Sequence, residues 1–181
     1  ILPSGSSANS FFTADGYIWK FLYTLSSANA NKFLSANYVP VAYIGTTDSA
    51  SPAAIVEQKG IQNAAVSGQI ANIRVINGGT GYTVAPTVTV VGNGDSCQAT
   101  AIISGGSIVD IRLDSNGAGV PLHGNGYSKA TITFNTGTAS ARAALAPFAG
   151  FGANALNDLR AKAIMFNGKP AGDESGTFIT D

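Results

Sequence analysis

The chain has 181 residues, with ten basic and ten acidic side chains and a charged fraction of only 11%. A protein that binds the phosphate backbone needs a clustered excess of Lys and Arg, and since none is present here, the composition argues against a nucleic-acid partner. No apolar run approaches the roughly eighteen residues of a membrane helix, so we expect a soluble protein without a membrane partner. The first residue is Ile1 rather than Met, which suggests a fragment or a trimmed product.

The amino-terminal region carries turn, strand and helix signals in that order. Asp15-Gly16 predicts a turn. Over residues 17–25 two largely apolar sets of side chains alternate, which predicts a strand covered on both faces. Ser26 or Ser27 can cap a short helix. Residues 53–65 fit a helix or a strand, and their position just before a β-rich region favours a strand.

The region from residue 68 to residue 134 contains two copies of one β-rich sequence repeat. The first copy covers residues 68–91 and the second covers residues 106–134, with a longer central loop in the second. Three segments correspond in order: Ile73-Arg74-Val75 with Ile111-Arg112-Leu113, Gly79-Thr80-Gly81-Tyr82 with Gly124-Asn125-Gly126-Tyr127, and Thr87-Val88-Thr89-Val90 with Thr131-Ile132-Thr133-Phe134.

Alternation within each copy predicts strands with one buried face. The side chains expected to point inward are Ala71, Ile73, Val75, Val88, Val90, Val109, Ile111, Leu113, Ile132 and Phe134. Between the copies, Ser104-Gly105-Gly106-Ser107 predicts a tight hairpin, because adjacent glycines supply the positive φ that such a turn needs. The glycines of each Gly-x-Gly-Tyr loop allow sharp turns, and Tyr82 and Tyr127 are expected to fix these loops with their rings.

After the repeats, Asn154 can cap a second short helix, and residues 162–166 read as a strand. Residues 169–181 read as an irregular tail or as an arm that a partner orders. Taken together, these elements predict a mainly β fold: an antiparallel β-sandwich or meander with two internal β-repeats and two short helices.

Catalytic and metal-binding patterns are absent from the sequence. His123 is the only histidine, and without a cluster of cysteines or carboxylates it does not predict a zinc site. The single cysteine, Cys97, cannot form an internal bridge and is expected to be a buried, inert thiol, although Cys97 and His123 could in principle form a nucleophile and base. Asp110 and Asp114 share a strand face with an arginine between them, which favours charge neutralisation over glycoside cleavage. Asp95 lacks the dense acidic loop of a calcium site, so neither a metal nor a cofactor is expected.

Two separated stretches resemble one family. Residues 15–23, Asp-Gly-Tyr-Ile-Trp-Lys-Phe-Leu-Tyr, with the short helix and Asn37-Tyr38-Val39-Pro40-Val41 after them, resemble a segment of the baseplate wedge subunit called gene product eight of T-even-like contractile-tailed phages. Residues 147–167 are similar to a later segment of related wedge proteins, where a glycine-rich turn leads to a short acidic helix and an apolar strand. Gly150-Phe151-Gly152 departs from the Gly-His-Gly turn of that family.

The resemblance implies a wedge-like body made of residues 1–63 and 147–181, with the two-repeat module, residues 64–146, inserted between its halves. The repeats themselves resemble the Gly-Gly-x-Gly-Tyr…Pro-x-Val β-repeats of phage tail and fibre proteins. A mostly β fold, a homodimer and contacts with other baseplate or tail proteins are implied as well. The expected location is the virion, after synthesis in the host cytoplasm.

The first hypothesis is therefore a structural virion protein that is not an enzyme and that acts in assembly through protein–protein interfaces. The residues expected to serve as structural anchors or interface are Tyr17, Trp19, Phe21, Tyr23, Tyr82 and Tyr127. The alternative is a receptor-recognition module that binds host glycan. The residues expected to face that glycan are Asn116, His123, Asn125 and Tyr127. A polysaccharide-degrading enzyme that uses Asp110 and Asp114 is the third hypothesis.

Overall fold

The chain forms a mainly β, antiparallel structure, as predicted. The structure, a computed structural model, describes residues 8–168, so the predicted tail at residues 169–181 lies outside the described residues. The strands are β1 (Phe11–Phe12), β2 (Ile18–Trp19), β3 (Ile70–Asn77), β4 (Val88–Gly92), β5 (Asp95–Cys97), β6 (Ala99–Ser104), β7 (Ser107–Leu113), β8 (His123–Asn125), β9 (Ala130–Phe134) and β10 (Ser140–Leu145). The helices are α1 (Ser27–Phe33), α2 (Ala53–Asn63) and α3 (Ala155–Asp158).

The strands of the repeat region pair across the two copies. β3 pairs with β10, β4 with β9 and β5 with β8, and the predicted hairpin at Ser104–Ser107 joins β6 to β7. In the structure the first copy extends from β3 to β6 and the second from β7 to β10. Each of these four pairs therefore joins the first copy to the second, and the two copies interlock.

The interlocked copies are related by an approximate twofold axis. In the β4–β9 pair, Thr89 lies opposite Thr133, its equivalent in the other copy. On either side of this pair, Val88 lies opposite Phe134 and Val90 lies opposite Ile132. Because equivalent residues exchange places in this way, the axis passes between Thr89 and Thr133.

The β3–β10 and β6–β7 pairs obey the same symmetry. Ile73 of β3 pairs with Ala143 of β10, and its equivalent Ile111 of β7 pairs with Ala101 of β6. Both ladders shift register at the corresponding place, between Ala144 and Leu145 in one and between Ile102 and Ile103 in the other. The final strand of each copy is thus a fourth repeated segment, which the sequence does not reveal because β6 and β10 share little beyond two alanines.

Two reciprocal backbone hydrogen bonds tie the tyrosine loops across the copies. The N–H of Tyr82 donates to the carbonyl of Gly106 (3.0 Å), and the N–H of Tyr127 donates to the carbonyl of Gly68 (3.0 Å). Gly68 and Gly106 open the first and second copy. Each loop is therefore held by the start of the other copy.

The core lies between the two copies and draws on both. Its buried members are Ile70, Ile73, Tyr82, Ala101, Ile108, Ile111, Leu113, Tyr127 and Ile132. Ile70 is completely buried, and its symmetry equivalent Ile108 is 3% exposed. Burying one such side chain stabilises a fold by roughly 1.5–3 kcal/mol.

Val109 is a correction to the predicted core. It was expected to point inward with Ile111 and Leu113, but it is 56% exposed. The register shift in the β6–β7 ladder pairs Ile103 with Ile108, leaving Val109 without a direct partner. The bulge therefore turns Ile108 inward and Val109 outward, since an extra residue reverses the alternation of a strand.

Residues 53–65 were expected to form a strand, but residues 53–63 form helix α2. Its buried side chains, Gln58, Ile61 and Gln62, follow helical spacing. Gln62 accepts a hydrogen bond from the N–H of Ile44 (3.0 Å) and donates one to the same residue's carbonyl (2.9 Å), while Gln58 donates to the carbonyl of Ala42 (2.6 Å). The two buried amides thus hydrogen-bond the backbone of residues 42–44, as a partner strand would.

The long amino-terminal strand is also a correction. Only Ile18–Trp19 of residues 17–25 is a strand, in a small hairpin with Phe11–Phe12. Tyr17 is 66% exposed and Trp19 is 41% exposed, so the segment is not covered on both faces. Residues 162–166, likewise expected to be a strand, belong to no helix or strand. Helices α1 and α3 begin as predicted, capped by the side chains of Ser26 and Asn154.

Candidate functional site

Three of the predicted anchor aromatics line an open groove outside the repeat module. The groove has a volume of about 400 Å³ and is lined by Phe11, Trp19, Lys20, Phe21, Leu22, Tyr23, Leu25 and Leu159. The indole N–H of Trp19 donates to the hydroxyl of Thr13 (3.0 Å), and the hydroxyl of Tyr23 donates to the carbonyl of Pro40 (2.8 Å). These bonds hold the two rings in place without burying them.

Large exposed apolar side chains are more numerous outside the repeat module than on it, and two of them, Trp19 and Leu159, line this groove. Those outside the repeat module are Tyr17, Trp19, Leu34, Tyr38, Val39, Tyr43, Val56, Phe148, Leu159, Ile164 and Phe166. Phe148, Ile164 and Phe166 are each more than nine-tenths exposed, at 98%, 99% and 92%. Single exposed apolar residues are ordinary, but a concentration of large ones marks an interaction surface.

The two loop tyrosines lie in the core rather than in this surface. The hydroxyl of Tyr82 donates to the carbonyl of Thr136 (3.3 Å) and accepts from the N–H of Ala139 (3.2 Å). The ring of Tyr127 lies against Gly94, where a Cβ atom would come within 2.6 Å of it. Each ring therefore fixes loops of the module from inside, and neither is available to a partner.

The four residues expected to face a glycan do not form one exposed set. Asn116 and Asn125 are exposed, but His123 is only 6% exposed and Tyr127 only 5%. His123 and Tyr127 are corrections, because both side chains are buried and cannot face a glycan. The side-chain oxygen of Asn116 accepts from the N–H groups of Ala118 and Val120 (3.0 Å each), so it also serves its own loop.

His123 occupies a defined hydrogen-bond position in β8. Its Nδ1 lies 2.7 Å from the carbonyl oxygen of Ile70, and its Nε2 lies 2.7 Å from the hydroxyl of Ser10. Because a carbonyl can only accept, the neutral ring must carry its proton on Nδ1, and the hydroxyl of Ser10 then donates to Nε2. Ser10 is 113 residues away along the chain, and no sequence pattern links the two.

This arrangement is poorly suited to acid–base catalysis. Burial, with a contribution from the positive charge of Lys20, lowers the pKa of His123, which disfavours the imidazolium that a general base must form. The group bonded to Nδ1 is the uncharged carbonyl of Ile70, which stabilises an imidazolium less than a carboxylate does. The Ser10–His123 bond is better explained as a link between the amino-terminal segment and the module.

Cys97 lies directly opposite His123 in the β5–β8 pair. Burial, and to a lesser degree the charge of Asp114, raises the pKa of its thiol to about 11. At neutral pH the thiol is therefore protonated and a weak nucleophile. Both ring nitrogens of His123 are engaged with other groups, so the geometry does not favour a Cys–His pair.

The acidic residues considered for catalysis have structural partners. Asp110 forms an ion pair with Arg112 (2.9 Å), and Asp114 accepts a hydrogen bond from Thr100 (2.7 Å). Within residues 8–168, no group of three or more His, Cys, Asp or Glu side chains could hold a metal ion. No helix in the same range is long and apolar enough to cross a membrane.

Comparisons with known proteins do not identify the chain. No protein-family model, curated protein or solved structure matches it.

Proposed function

We propose that this protein is a structural component that acts in assembly through protein–protein interfaces, without a catalytic step of its own. The resemblance of residues 15–23 and 147–167 to baseplate wedge subunits gives the setting: the tail or baseplate of a contractile-tailed phage, with other baseplate or tail proteins and a second copy of the chain as partners. On this proposal the protein acts in the virion.

The observation that carries the proposal is the contrast between the module and the segments outside it. The module has a shared buried core, whereas the described segments outside it carry most of the large exposed apolar side chains, among them Phe148, Ile164 and Phe166. Residues 20–26 and 161–168, outside the module, belong to no helix or strand. Aromatic residues are enriched at protein interfaces, and Trp and Tyr are enriched among the hot-spot residues. Trp19, Phe21 and Tyr23 meet this description at the open groove.

Replacing Trp19 by Ser tests the proposal. We expect self-association, or association with a tail protein, to weaken at least about tenfold, because truncating an interface hot spot costs roughly 2 kcal/mol or more. Sedimentation over a concentration series gives the association constant. Val109→Ser is the matched control, since Val109 is comparably exposed but lies on the repeat module. Equal behaviour of both variants and the unaltered chain would contradict the proposal.

Glycan recognition is the second candidate function, now limited to the exposed residues of the loop from Asn116 to Tyr127. Asn116 and Asn125 remain accessible there, and amide side chains can hydrogen-bond sugar hydroxyls. If this candidate is right, binding to a glycan array is lost when both asparagines are replaced by Ala. Binding that survives this double replacement would count against the loop as the recognition site.

A further inference from the structure

A second cavity lies between the amino-terminal segment and the repeat module. It has a volume of about 280 Å³. Its polar lining is Asn9, Ser10, Lys20, Gln69, Asn72 and His123, and its apolar lining is Ala8, Ile18, Ala64, Val66, Ala71, Val120, Pro121 and Phe151. Ligand pockets typically measure about 300–1,000 Å³ and combine apolar walls with a few polar groups. This cavity has such a lining but lies just below that size range, so it suits only a small ligand.

Lys20 supplies a partly buried positive charge at this cavity. Its ammonium group donates to the carbonyl of Ala8, an uncharged partner. The ion pair present in residues 8–168 joins Arg112 to Asp110, and Lys20 has no carboxylate within 4.0 Å in that range. Burial lowers the pKa of Lys20, although the charge of Asp158 acts in the opposite direction. A half-buried ammonium group whose direct hydrogen-bond partner is an uncharged carbonyl, with Asp158 acting only from beyond ion-pair distance, can still accommodate an anionic ligand.

Two amide side chains that line the same cavity, those of Gln69 and Asn72, are available to bind a ligand. Within the described part of the chain, neither Gln69 nor Asn72 makes a side-chain hydrogen bond, whereas Ser10 and His123 bond to each other. A primary amide offers both donors and an acceptor, which complements a hydroxyl group. The cavity therefore presents one cation and two hydroxyl-binding amides between apolar walls.

We propose that this cavity binds a small polyhydroxy carboxylate, such as a single sugar acid, with its carboxylate at Lys20 and its hydroxyl groups at Gln69 and Asn72. One ammonium group neutralises one carboxylate, whereas a doubly charged phosphate would leave a charge uncompensated in a partly desolvated site. The apolar walls, which include Val120 and Phe151, face the carbon skeleton of the ligand. Lys20 also lines the groove of the assembly proposal, and Val120 and Pro121 lie in the loop that follows Asn116. Binding of the sugar acid and self-association are therefore measured separately.

Titration of the full chain with glucuronate and with glucose, followed by NMR chemical shifts, tests this site. We expect glucuronate to bind at least tenfold more tightly than glucose, because only glucuronate carries the charge that Lys20 matches. Lys20→Met should weaken glucuronate binding at least tenfold, whereas Lys20→Arg, which keeps the charge, should retain most of it. Lys129→Met is the control, because Lys129 is exposed on the module and away from the cavity lining.

Asn72→Ala provides a second test of the site in case the Lys20 variants do not fold. Asn72 is exposed and its side chain makes no hydrogen bond within the described residues, so the fold should tolerate the change. We expect this variant to weaken glucuronate binding severalfold. Any of three results would overturn the proposal: no shift with glucuronate at millimolar concentration, equal affinity for glucose, or an equal loss of binding in Lys129→Met.

Discussion

At the residue scale, Gly137 is the glycine whose replacement should be most informative. Its φ of 84° lies in the left-handed region, and a Cβ atom there would overlap the phenol of Tyr82. We expect Gly137→Ala to reduce the free energy of unfolding by about 2 kcal/mol or more, because strain and steric overlap add. Denaturant-induced unfolding measures the change.

Gly117→Ala is the matched control for Gly137→Ala. Gly117 does not have a positive φ, and nothing lies within 4 Å of the position that an added Cβ atom would take. Its replacement should change the free energy of unfolding by no more than about 0.5 kcal/mol. Equal effects at the two positions would show that the ring of Tyr82 does not constrain the Gly137 turn.

The buried histidine predicts a pH dependence of stability. Burial lowers the pKa of His123 in the folded state below its ordinary value of 6.5, so the unfolded state takes up a proton first as the pH falls. The contribution of His123 to stability is thus present above about pH 6.5 and declines below it. Asp15, whose pKa is lowered from 3.8 chiefly by its hydrogen bond with Thr13, contributes stability above about pH 3.8, and this contribution is lost only as the pH falls below that value.

Thermal unfolding between pH 7.5 and pH 5 measures the histidine effect. The melting temperature should fall over this range, and His123→Gln should flatten the dependence while lowering stability at pH 7.5. A histidine whose protonation were favoured by folding would give the opposite slope, with stability rising as the pH falls.

At the element scale, helix α2 contains one residue, Gly60, whose replacement should increase the stability of the protein. Gly60 lies in the helix interior, is exposed, and has open space where a Cβ would lie. Gly60→Ala should raise the free energy of unfolding by about 0.5–1 kcal/mol, because alanine loses less backbone entropy than glycine on folding. Denaturant-induced unfolding again provides the measurement, and a destabilised variant would mean that this region is not helical.

The same helix shows where sequence patterns fail. Its buried positions are occupied by Gln58 and Gln62 as well as Ile61, so an apolar periodicity is not visible. Those amides are buried because they bond the backbone near Ala42 and Ile44, a contact that no local pattern predicts. In the module, by contrast, alternation predicted the inward side chains correctly except at the two equivalent bulges. There Val109 and Ala71, both expected to point inward, are the extra residues at which the faces reverse.

At the scale of the whole molecule, the twofold arrangement makes equivalent positions comparable. Ile70 and Ile108 are equivalent and both buried, so Ile70→Ala and Ile108→Ala should each cost about 2–5 kcal/mol. Because each strand pair of the module joins the two copies, both variants should unfold in a single transition. A two-step transition in either variant, followed by circular dichroism, would mean that the copies are separate folding units.

The duplication, the hairpin between the copies and the mainly β class could be predicted from the sequence because they depend on local alternation and glycine placement. The exchange of strands between copies could not, since it depends on contacts between distant segments such as β3 and β10. The cavity beside His123 depends on Ser10 and Lys20, which meet it only through the fold. Burial of His123 and Tyr127 follows from the same long-range packing.

Light scattering of the 181-residue chain over a concentration series tests the assembly proposal most directly. The apolar surface around Trp19, Tyr23 and Leu159 should drive association, so we expect a mass that rises to a closed dimer or larger assembly as the concentration increases. Association should persist at high salt, because burial of apolar surface is not screened by ions. A monomer at every concentration would contradict self-assembly through this surface.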